Sequence, residues 1–399
     1  MLIKPMVRNN IFLNAHPVGC ARETELQISR IEAKRADYAS LKGPKAVLVV
    51  GCSTGYGLAS RIAAAFGFRV PTVGLSFERA PSATKVGSPG WYANRAFDRA
   101  AAEAGLPARS IDADAYSAAA KEAAIAAARE LGLRFDLVVY SLASPVRTDP
   151  ATGELHRSAI KPLGSPYRGT TVDVFTGVLS EAEIQPADEA EAAATVKVMG
   201  GEDWELWIEA LRSAKVLAER AATVAYSYVG PKLSWPIYRD GTIGRAKAHL
   251  EATAKGLSAA APDGLRAYVS INKALVTRSS AVIPVIPLYV STLFKVMKER
   301  GVHEDCLDQA DRLMRERLYS GKPPALDAEG RIRLDELEMG AAVQAEVEAR
   351  MSRIAPQNLT ALSDVVGFRA DFMRVHGFEV PGVDYTAEVA PDWDPATSM

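Results

Sequence analysis

The sequence predicts an α/β fold built on a doubly wound parallel sheet, and three observations carry that prediction. Residues 46–50 (AVLVV), 70–76 and 136–142 (DLVVYSL) are apolar, β-branched runs of strand length. Segments with helical spacing alternate with them, at 58–66, 94–104 and 118–131. Such alternation places helices on both faces of a parallel sheet. The first strand also runs directly into a glycine-rich turn, KAVLVVGCSTGYGL at 45–58, which opens the first of those helices.

Taken in order, residues 11–13 form a short apolar segment, and Pro17, Val18 and Gly19 read as the turn after it. A charged amphipathic helix covers 23–35, with Leu26, Ile28 and Ile31 as its apolar side. Strand 46–50 ends at Gly51, and the helical pattern begins at Leu58. After strand 70–76, a turn-rich stretch leads to the alanine-rich helix 94–104, stopped by Gly105, and to a third strand at 108–111. Residues 147–185 break the alternation. Segments 154–161 and 171–179, separated by Pro162, Gly164, Pro166 and Gly169, read as one inserted β-hairpin. Helices at 187–199 and 203–222 follow, the second with Trp204, Trp207, Leu211 and Leu217 at helical spacing, and then a strand at 223–229. Pro236, Ile237 and Tyr238 read as extended, because a proline and the residue before it resist helix. Helix 243–257, strand 266–272, an almost wholly apolar helix at 283–297, helices at 307–318, 341–353 and 362–375, and a short strand at 331–334 complete the reading. The tail from Pro381 is irregular. No repeat or low-complexity linker divides residues 1–399, so they read as a single domain, with 1–44 an N-terminal extension.

The chain has 399 residues, 48% hydrophobic and 24% charged, with net charge −1, enough apolar material for a large core. Balanced charge argues against nucleic acid as a partner, since neutralising phosphates needs a basic face. No apolar run reaches the roughly 18 residues of a membrane span. The N-terminus, MLIKPMVRNN, lacks the apolar core of a signal peptide, and a cytoplasmic protein is expected. Cys20, Cys52 and Cys306 are far apart and odd in number, which suits reduced thiols. The five histidines have no ligand spacing, so no metal is expected.

The functional reading starts at Gly51, Cys52, Ser53, Thr54, Gly55, Tyr56 and Gly57. Strand, glycine turn and helix N-terminus together receive a pyrophosphate: backbone N–H groups and the positive helix end face the anion, and glycine permits close approach. The alternative is a glycine-rich turn in another α/β protein. Phe77 and Glu78 stand at the end of the second strand, Glu78 twenty-one residues past Gly57. A carboxylate there takes the adenosine ribose hydroxyls and repels a 2′-phosphate, favouring NADH. Arg79 and Lys85 leave room for NADPH, and a solvated Glu78 is the plain alternative. Asp114 and Ala115, after the third strand, are adenine-edge candidates; a cap on the following helix is the competing role for the aspartate. Leu142 and Ala143 end strand 136–142 where the backbone passes the cofactor ribose.

Two tyrosine–lysine pairs compete as the catalytic pair. Tyr228 and Lys232 have a Y-x-x-x-K spacing, which works when one helical face carries both side chains. Gly230 and Pro231 lie between them, and proline is poorly tolerated within a helix. Tyr238 and Lys247 form the better pair: a loop tyrosine overhanging the site and a lysine in the early turns of helix 243–257. A phenol donates to a developing oxyanion, and an ammonium beside it favours the phenolate and bonds the nicotinamide ribose. An interfacial tyrosine with a surface lysine is the bland alternative.

The stretches GCSTGYG (51–57), SFE (76–78), YSLASP (140–145) and WPIYRDGTIGRAK (235–247) resemble those of the FabV-type enoyl-acyl-carrier-protein reductases and the related trans-2-enoyl-CoA reductases. The eight-residue gap from Tyr238 to Lys247 is specific to that family; typical short-chain dehydrogenases, whose glycine spacing the turn shares, use three, and commoner enoyl reductases six. The resemblance covers essentially the whole chain. It departs at Ala248, where some relatives carry a second lysine, so a role shared there rests on Lys247. The resemblance implies a Rossmann-like domain with N- and C-terminal extensions, the 147–185 hairpin near the site and substrate-covering helices at 283–318. It places Leu275, Val276, Thr277 and Ser279 at the nicotinamide carboxamide, and Tyr228, Tyr238, Ile286 and Leu288 at the substrate. It implies NADH-dependent reduction of the trans-2 double bond of an enoyl-ACP or enoyl-CoA in fatty acid synthesis, by a monomer without membrane or nucleic-acid partner. A carbonyl reductase in which Tyr238 protonates an alkoxide, and a non-catalytic dinucleotide sensor, are the rival readings.

Overall fold

Val47, Leu48, Val49 and Val50 have no exposed surface, as a central strand covered on both faces requires. The structure, a computed structural model, describes residues 1–8, 11–278 and 285–397. The chain opens with a short hairpin, β1 (Val7–Arg8) and β2 (Ile11–Phe12), then α1 (Pro17–Ala33) and α2 (Arg35–Ala39). Strands and helices then alternate: β3 (Val47–Val50), α3 (Gly55–Ile62), β4 (Thr72–Ser76), α4 (Pro89–Glu103), β5 (Ala108–Asp112), α5 (Ala118–Glu130) and β6 (Phe135–Tyr140). Two hairpins interrupt, β7 (Val146–Thr148) with β8 (Leu155–Arg157) and β9 (Tyr167–Val172) with β10 (Leu179–Ile184). After α6 (Glu189–Met199) and α7 (Glu202–Ser213) come β11 (Leu217–Ser227), α8 (Trp235–Tyr238), α9 (Thr242–Ala259) and β12 (Arg266–Ile271). The chain continues through α10 (Ile286–Glu299), α11 (Cys306–Arg312), β13 (Ile332–Arg333), α12 (Ala341–Met351), α13 (Leu359–Leu362) and α14 (Val365–Val375).

The main sheet has seven strands in the order β13-β12-β11-β6-β3-β4-β5, every neighbouring pair parallel. The chain builds outward from β3 to β5, then returns to place β6 on the other side of β3. That reversal opens a crevice beyond the carboxyl ends of β3 and β6, where ligands of such sheets bind. Strand alternation divides the core. Leu48, Val50, Val138 and Tyr140 pack with Ala124, Trp207 and Leu250, while Val47, Val49, Leu137 and Val139 pack with Ala63, Ala64 and Leu313. A third cluster gathers around α10, where Leu293 and Phe294 meet Val347, Phe368, Phe372 and Tyr238.

Several expectations are corrected. Pro17, Val18 and Gly19 are the first turn of α1, not a turn before it. Proline has no N–H to leave unpaired at a helix start, and His16 caps the end by accepting from the Gly19 N–H at 3.1 Å. The helix expected over 203–222 stops at Ser213. Lys215 takes φ 59°, and the helix-favouring segment LAERAA is drawn into β11 by pairing with β6, Leu217 opposite Phe135 and Ala222 opposite Leu137. The single hairpin is two. The stretch 171–179 contains a turn in which Asp173 accepts from the N–H groups of Phe175 and Thr176 at 2.8 and 3.0 Å, a side-chain device that strand alternation does not reveal. Ser279, Ile283 and Pro284 lie outside the described residues.

A buried ion pair ties two of the covering helices together. Lys121 Nζ of α5 stands 2.8 Å from Asp203 Oδ1 of α7, and the Tyr140 hydroxyl donates to Asp203 Oδ2 at 3.0 Å. Burial pushes the Asp203 carboxyl up, against the pull of Lys121. Lys121→Met leaves that carboxylate buried without its cation, and such a loss costs about 3–5 kcal/mol. The urea unfolding midpoint should therefore fall sharply; an unchanged midpoint would show that the pair contributes nothing.

Candidate active site

Two connected cavities occupy the crevice. The first, about 460 Å³, runs along the carboxyl ends of β3, β4, β5 and β6 and is lined by Gly51, Ser53, Thr54, Gly55, Tyr56, Phe77, Glu78, Asp114, Ala115, Leu142, Ala143 and Thr277 among others. The second, about 280 Å³, continues from it past Tyr56, Leu142, Ala143 and Thr277 to Tyr228, Tyr238, Lys247, Leu275, Ile286 and Val290. Its walls are mostly apolar, with Lys247, Lys273 and tyrosine side chains among the polar groups, as a ligand that is part chain and part polar head requires.

The glycine turn divides its labour. Helix α3 begins at Gly55 rather than at Leu58, so its N-terminus faces the larger cavity. Gly55 has φ +55°, and the nearest atom to a built Cβ is Thr277 Cγ2 at 3.7 Å, so the space in front of it is open. Gly57 has the opposite role. A Cβ there would collide with the Gly51 carbonyl oxygen, and Gly57 lines neither cavity. It is the residue that lets helix and strand pack closely. Cys52 likewise has no exposed surface; its Sγ accepts from Arg61 at 3.9 Å inside the core. Val276 and Leu288 are buried and also lie off both cavities, whereas Val290, one turn past Ile286, lines the second.

Glu78 is no solvated loop residue. Its side chain is 6% exposed and accepts from Ser53 Oγ at 2.7 Å and Arg278 Nη1 at 2.9 Å, both at Oε1. Arg278 is thus neutralised where a 2′-phosphate would need a free cation. Asp114 does not cap α5. Ser117 does so, accepting from the Ala120 N–H, and Asp114 instead lines the cleft and accepts from the Tyr116 N–H at 3.0 Å. The strand ends, the open helix terminus and the held carboxylate fit a dinucleotide.

Tyr238 is the last residue of a single helical turn, not of an extended segment. Proline is tolerated in the first turn, so Pro236 does not prevent α8. The chain then reverses through Gly241 into α9, and close packing of Gly244 on the Arg239 carbonyl brings Lys247 back under the tyrosine. Lys247 Nζ lies 4.9 Å from the Tyr238 ring centroid and 5.5 Å from that of Tyr228, and it donates to the Tyr228 carbonyl oxygen. The two rings meet edge to face, 4.9 Å between centroids. Lys232 is exposed on a separate 3₁₀ turn that begins after an extended Pro231, so Tyr228 and Lys232 share no helical face.

Six tyrosines line the second cavity: Tyr56, Tyr116, Tyr140, Tyr226, Tyr228 and Tyr238. Five have their hydroxyls bonded to protein: Tyr56 to the Lys273 carbonyl, Tyr116 to the Val198 carbonyl, Tyr140 to Asp203, Tyr226 to Ser60 and Tyr228 to Glu338. Among the described residues the Tyr238 hydroxyl has no such partner. Burial, reinforced by the charge of Glu338, pushes its phenol up, so it remains a protonated donor. Burial drives Lys247 down to about 7 against the opposing pull of Glu251, and Lys273 down to about 8 against that of Glu338. Sequence reasoning missed Tyr116, Tyr140, Tyr226, Lys273 and Glu338. The tyrosines at the ends of β6 and β11 were open to inference from their place at strand carboxyl ends; Glu338, far along the chain, left no signal.

The chain matches a family described as the trans-2-enoyl-CoA reductase catalytic region over residues 85–319, and the NAD(P)H binding domain of trans-2-enoyl-CoA reductase over 2–83. Residues 326–389 match an enoyl reductase FAD binding domain. It is 55% identical over 395 residues to the trans-2-enoyl-CoA reductase [NADH] of Treponema denticola, covering 98% of each chain. It is 49% identical to the enoyl-[acyl-carrier-protein] reductase [NADH] of Opitutus terrae, over 98% of this chain and 99% of that one. The crystal structure of the Treponema denticola trans-2-enoyl-CoA reductase in complex with NAD superposes with TM-score 0.95 at 54% identity, covering 98% of both chains. Val343, Val347, Phe368 and Phe372 of the 326–389 stretch pack into the core around α10, and among the described residues neither connected cavity is lined by a residue beyond Val290.

Two outcomes follow from the site itself. Gly55→Ala has room for its methyl group and meets only the left-handed backbone penalty of about 1–2 kcal/mol. Gly57→Ala must displace the Gly51 peptide, so its urea midpoint should fall well below that of Gly55→Ala; equal midpoints would contradict the packing role. For Lys247, the folded, cofactor-free protein holds the group at about 7, below its ordinary value of about 10.4. The unfolded chain binds the extra proton between those values, so the cost of the lysine to folding is full below pH 7 and fades as pH rises towards 10. Lys247→Met should raise the melting temperature of the cofactor-free protein, by more at pH 6.5 than at pH 9.5. A gap that grew with pH would reverse the sign.

Proposed function

The chain belongs to the trans-2-enoyl-CoA reductase family, and from that premise we propose how this NADH-dependent enzyme reduces an enoyl thioester: Tyr238 donates to the substrate oxygen and Lys247 holds cofactor and tyrosine in register. The observation that carries the reading is the Tyr238 hydroxyl, unpartnered among the described residues in a cavity whose other five tyrosines are already bonded. NADH, when bound, supplies the hydride that C3 of the trans-2-enoyl thioester accepts. The negative charge then gathers on the thioester oxygen as an enolate, and a proton at C2 completes the saturated product. Tyr238 donates to that oxygen as the charge develops, the moment at which a fixed donor is worth most.

Glu78 receives the adenosine ribose hydroxyls, and the α3 N-terminus at Thr54 and Gly55 receives the pyrophosphate. Lys247, half-buried on the wall of the second cavity, donates to the nicotinamide ribose. Thr277, on the wall common to both cavities, meets the carboxamide. Ile286 and Val290 of α10 form the acyl wall, as part of the substrate-covering helices. We assign residues 1–399 to one working domain and a monomeric unit, the described walls of the two cavities being drawn from residues 51 to 290 of the chain. A cytoplasmic location is supported by three cysteines without disulfides and by the lack, among the described residues, of a helix long and apolar enough to cross a membrane. The relatives are named for both coenzyme A and acyl-carrier-protein substrates, and the site accepts the enoyl thioester common to both.

The test measures loss of NADH absorbance with a short enoyl-CoA. Tyr238→Phe should lower kcat by about 10²–10³ with little change in KM, the signature of a bond made in the transition state. Lys247→Met should damage both kcat and NADH affinity, and Lys232→Met should be mild. If Lys232→Met abolishes turnover while Lys247→Met behaves as wild type, the other pair is catalytic. Turnover of ketones in preference to enoyl thioesters would favour a carbonyl reductase, and NADH binding without any turnover a sensor.

A further inference from the structure

Glu338 has no exposed surface, yet both carboxylate oxygens are engaged. Oε1 accepts from the Tyr289 hydroxyl at 2.6 Å and the Tyr228 hydroxyl at 3.0 Å, and Oε2 from the Ala274 N–H at 2.6 Å. Gln344 Nε2 donates to the Tyr289 oxygen at 3.1 Å, so the Tyr289 proton points at Glu338. Burial pushes the Glu338 carboxyl up and Lys273 nearby pulls against it, while the three groups that donate to its two oxygens fit the ionised form. An ionised carboxylate only accepts, so the Tyr228 proton is directed away from the cavity and towards Glu338.

We propose that Glu338 is a positioning residue that decides which of two adjacent tyrosines serves the substrate oxygen: by holding the proton of Tyr228, it leaves Tyr238 as the donor. Tyr228 and Tyr238 line the same cavity, meet edge to face and share Lys247. Residue type alone does not separate them. The difference is the carboxylate, brought from the loop between β13 and α12, more than a hundred residues along the chain. With Tyr228 engaged, one phenol reaches the developing charge, and the substrate carbonyl has a single position.

This inference rests on the proposed role of Tyr238, and a double-mutant cycle separates the two. Glu338→Gln keeps the shape. The Ala274 N–H still needs an acceptor, so the amide oxygen faces it and the NH₂ group faces the two phenols. That group donates, and the Tyr228 proton is released towards the cavity. In the otherwise wild-type protein Tyr238→Phe should lower kcat by about 10²–10³. With Glu338→Gln the same change should cost at least an order of magnitude less, because Tyr228 now donates, and adding Tyr228→Phe should restore the full loss. KM should move little throughout. An equal loss from Tyr238→Phe in both backgrounds overturns the inference and leaves the role of Tyr238 standing; no loss in the wild-type background overturns both. Should Glu338→Gln fail to fold, Tyr228→Phe alone decides. Added to Tyr238→Phe with Glu338 present, it should not deepen the loss, and a much deeper loss would mean that Tyr228 already donates.

Discussion

The close approach of the Gly51 carbonyl to Gly57 is the contact on which the site depends. It lets α3 start directly over the end of β3, and it does so at the one place in the sheet where strand order reverses. From that placement follow the open helix terminus at Gly55, the cavity along the strand ends and the position of Glu78 at its far side. A side chain in that contact would push the helix from the strand, and the crevice would lose its floor. The requirement is steric before it is electrostatic, because the field of a helix terminus is useful only where backbone geometry allows an anion to reach it.

At the other end of the crevice the governing rule is that a buried hydroxyl finds a partner. Five tyrosines obey it with bonds to carbonyls, a serine and two carboxylates. Tyr238 stands apart: among the described residues its hydroxyl has no protein acceptor, which is what supports its proposed role as the donor to a substrate that enters. The same low-polarity surroundings hold its phenol protonated and make Lys247 and Lys273 easier to neutralise than surface lysines. Under the proposed role of Tyr238, a substrate oxygen that becomes negative in this cavity meets that phenol in low-polarity surroundings, the condition under which such a bond counts most.

The C-terminal part of the chain supports this arrangement from behind. Helices α12 and α14 pack on α10, the helix that carries Ile286 and Val290, and the loop before α12 delivers Glu338 to Tyr228 and Tyr289. The cavity wall and the acceptor of the Tyr228 proton therefore come from one packed unit, in which Phe294, Phe368 and Phe372 share a buried cluster with Ile286 and Val290.

The sequence alone determined the parallel α/β sheet and the glycine turn, and it singled out Glu78, Tyr238 and Lys247, which the structure places on the walls of the crevice. Each is a local signal: apolar runs of strand length, a glycine spacing, an acid at a strand end, a spacing shared with known reductases. It misjudged the segments whose conformation is chosen by distant partners, namely LAERAA drawn into β11 by β6 and a turn within 171–179 closed by Asp173. Only the tertiary structure separated Gly55 from Gly57, buried Cys52 and Leu288 in the core, and brought Glu338 to Tyr228. Those outcomes depend on which atoms meet across strands and helices far apart in the chain. Spacing along a sequence tells where a side chain starts, whereas the direction it faces and the group that takes its proton are set by packing.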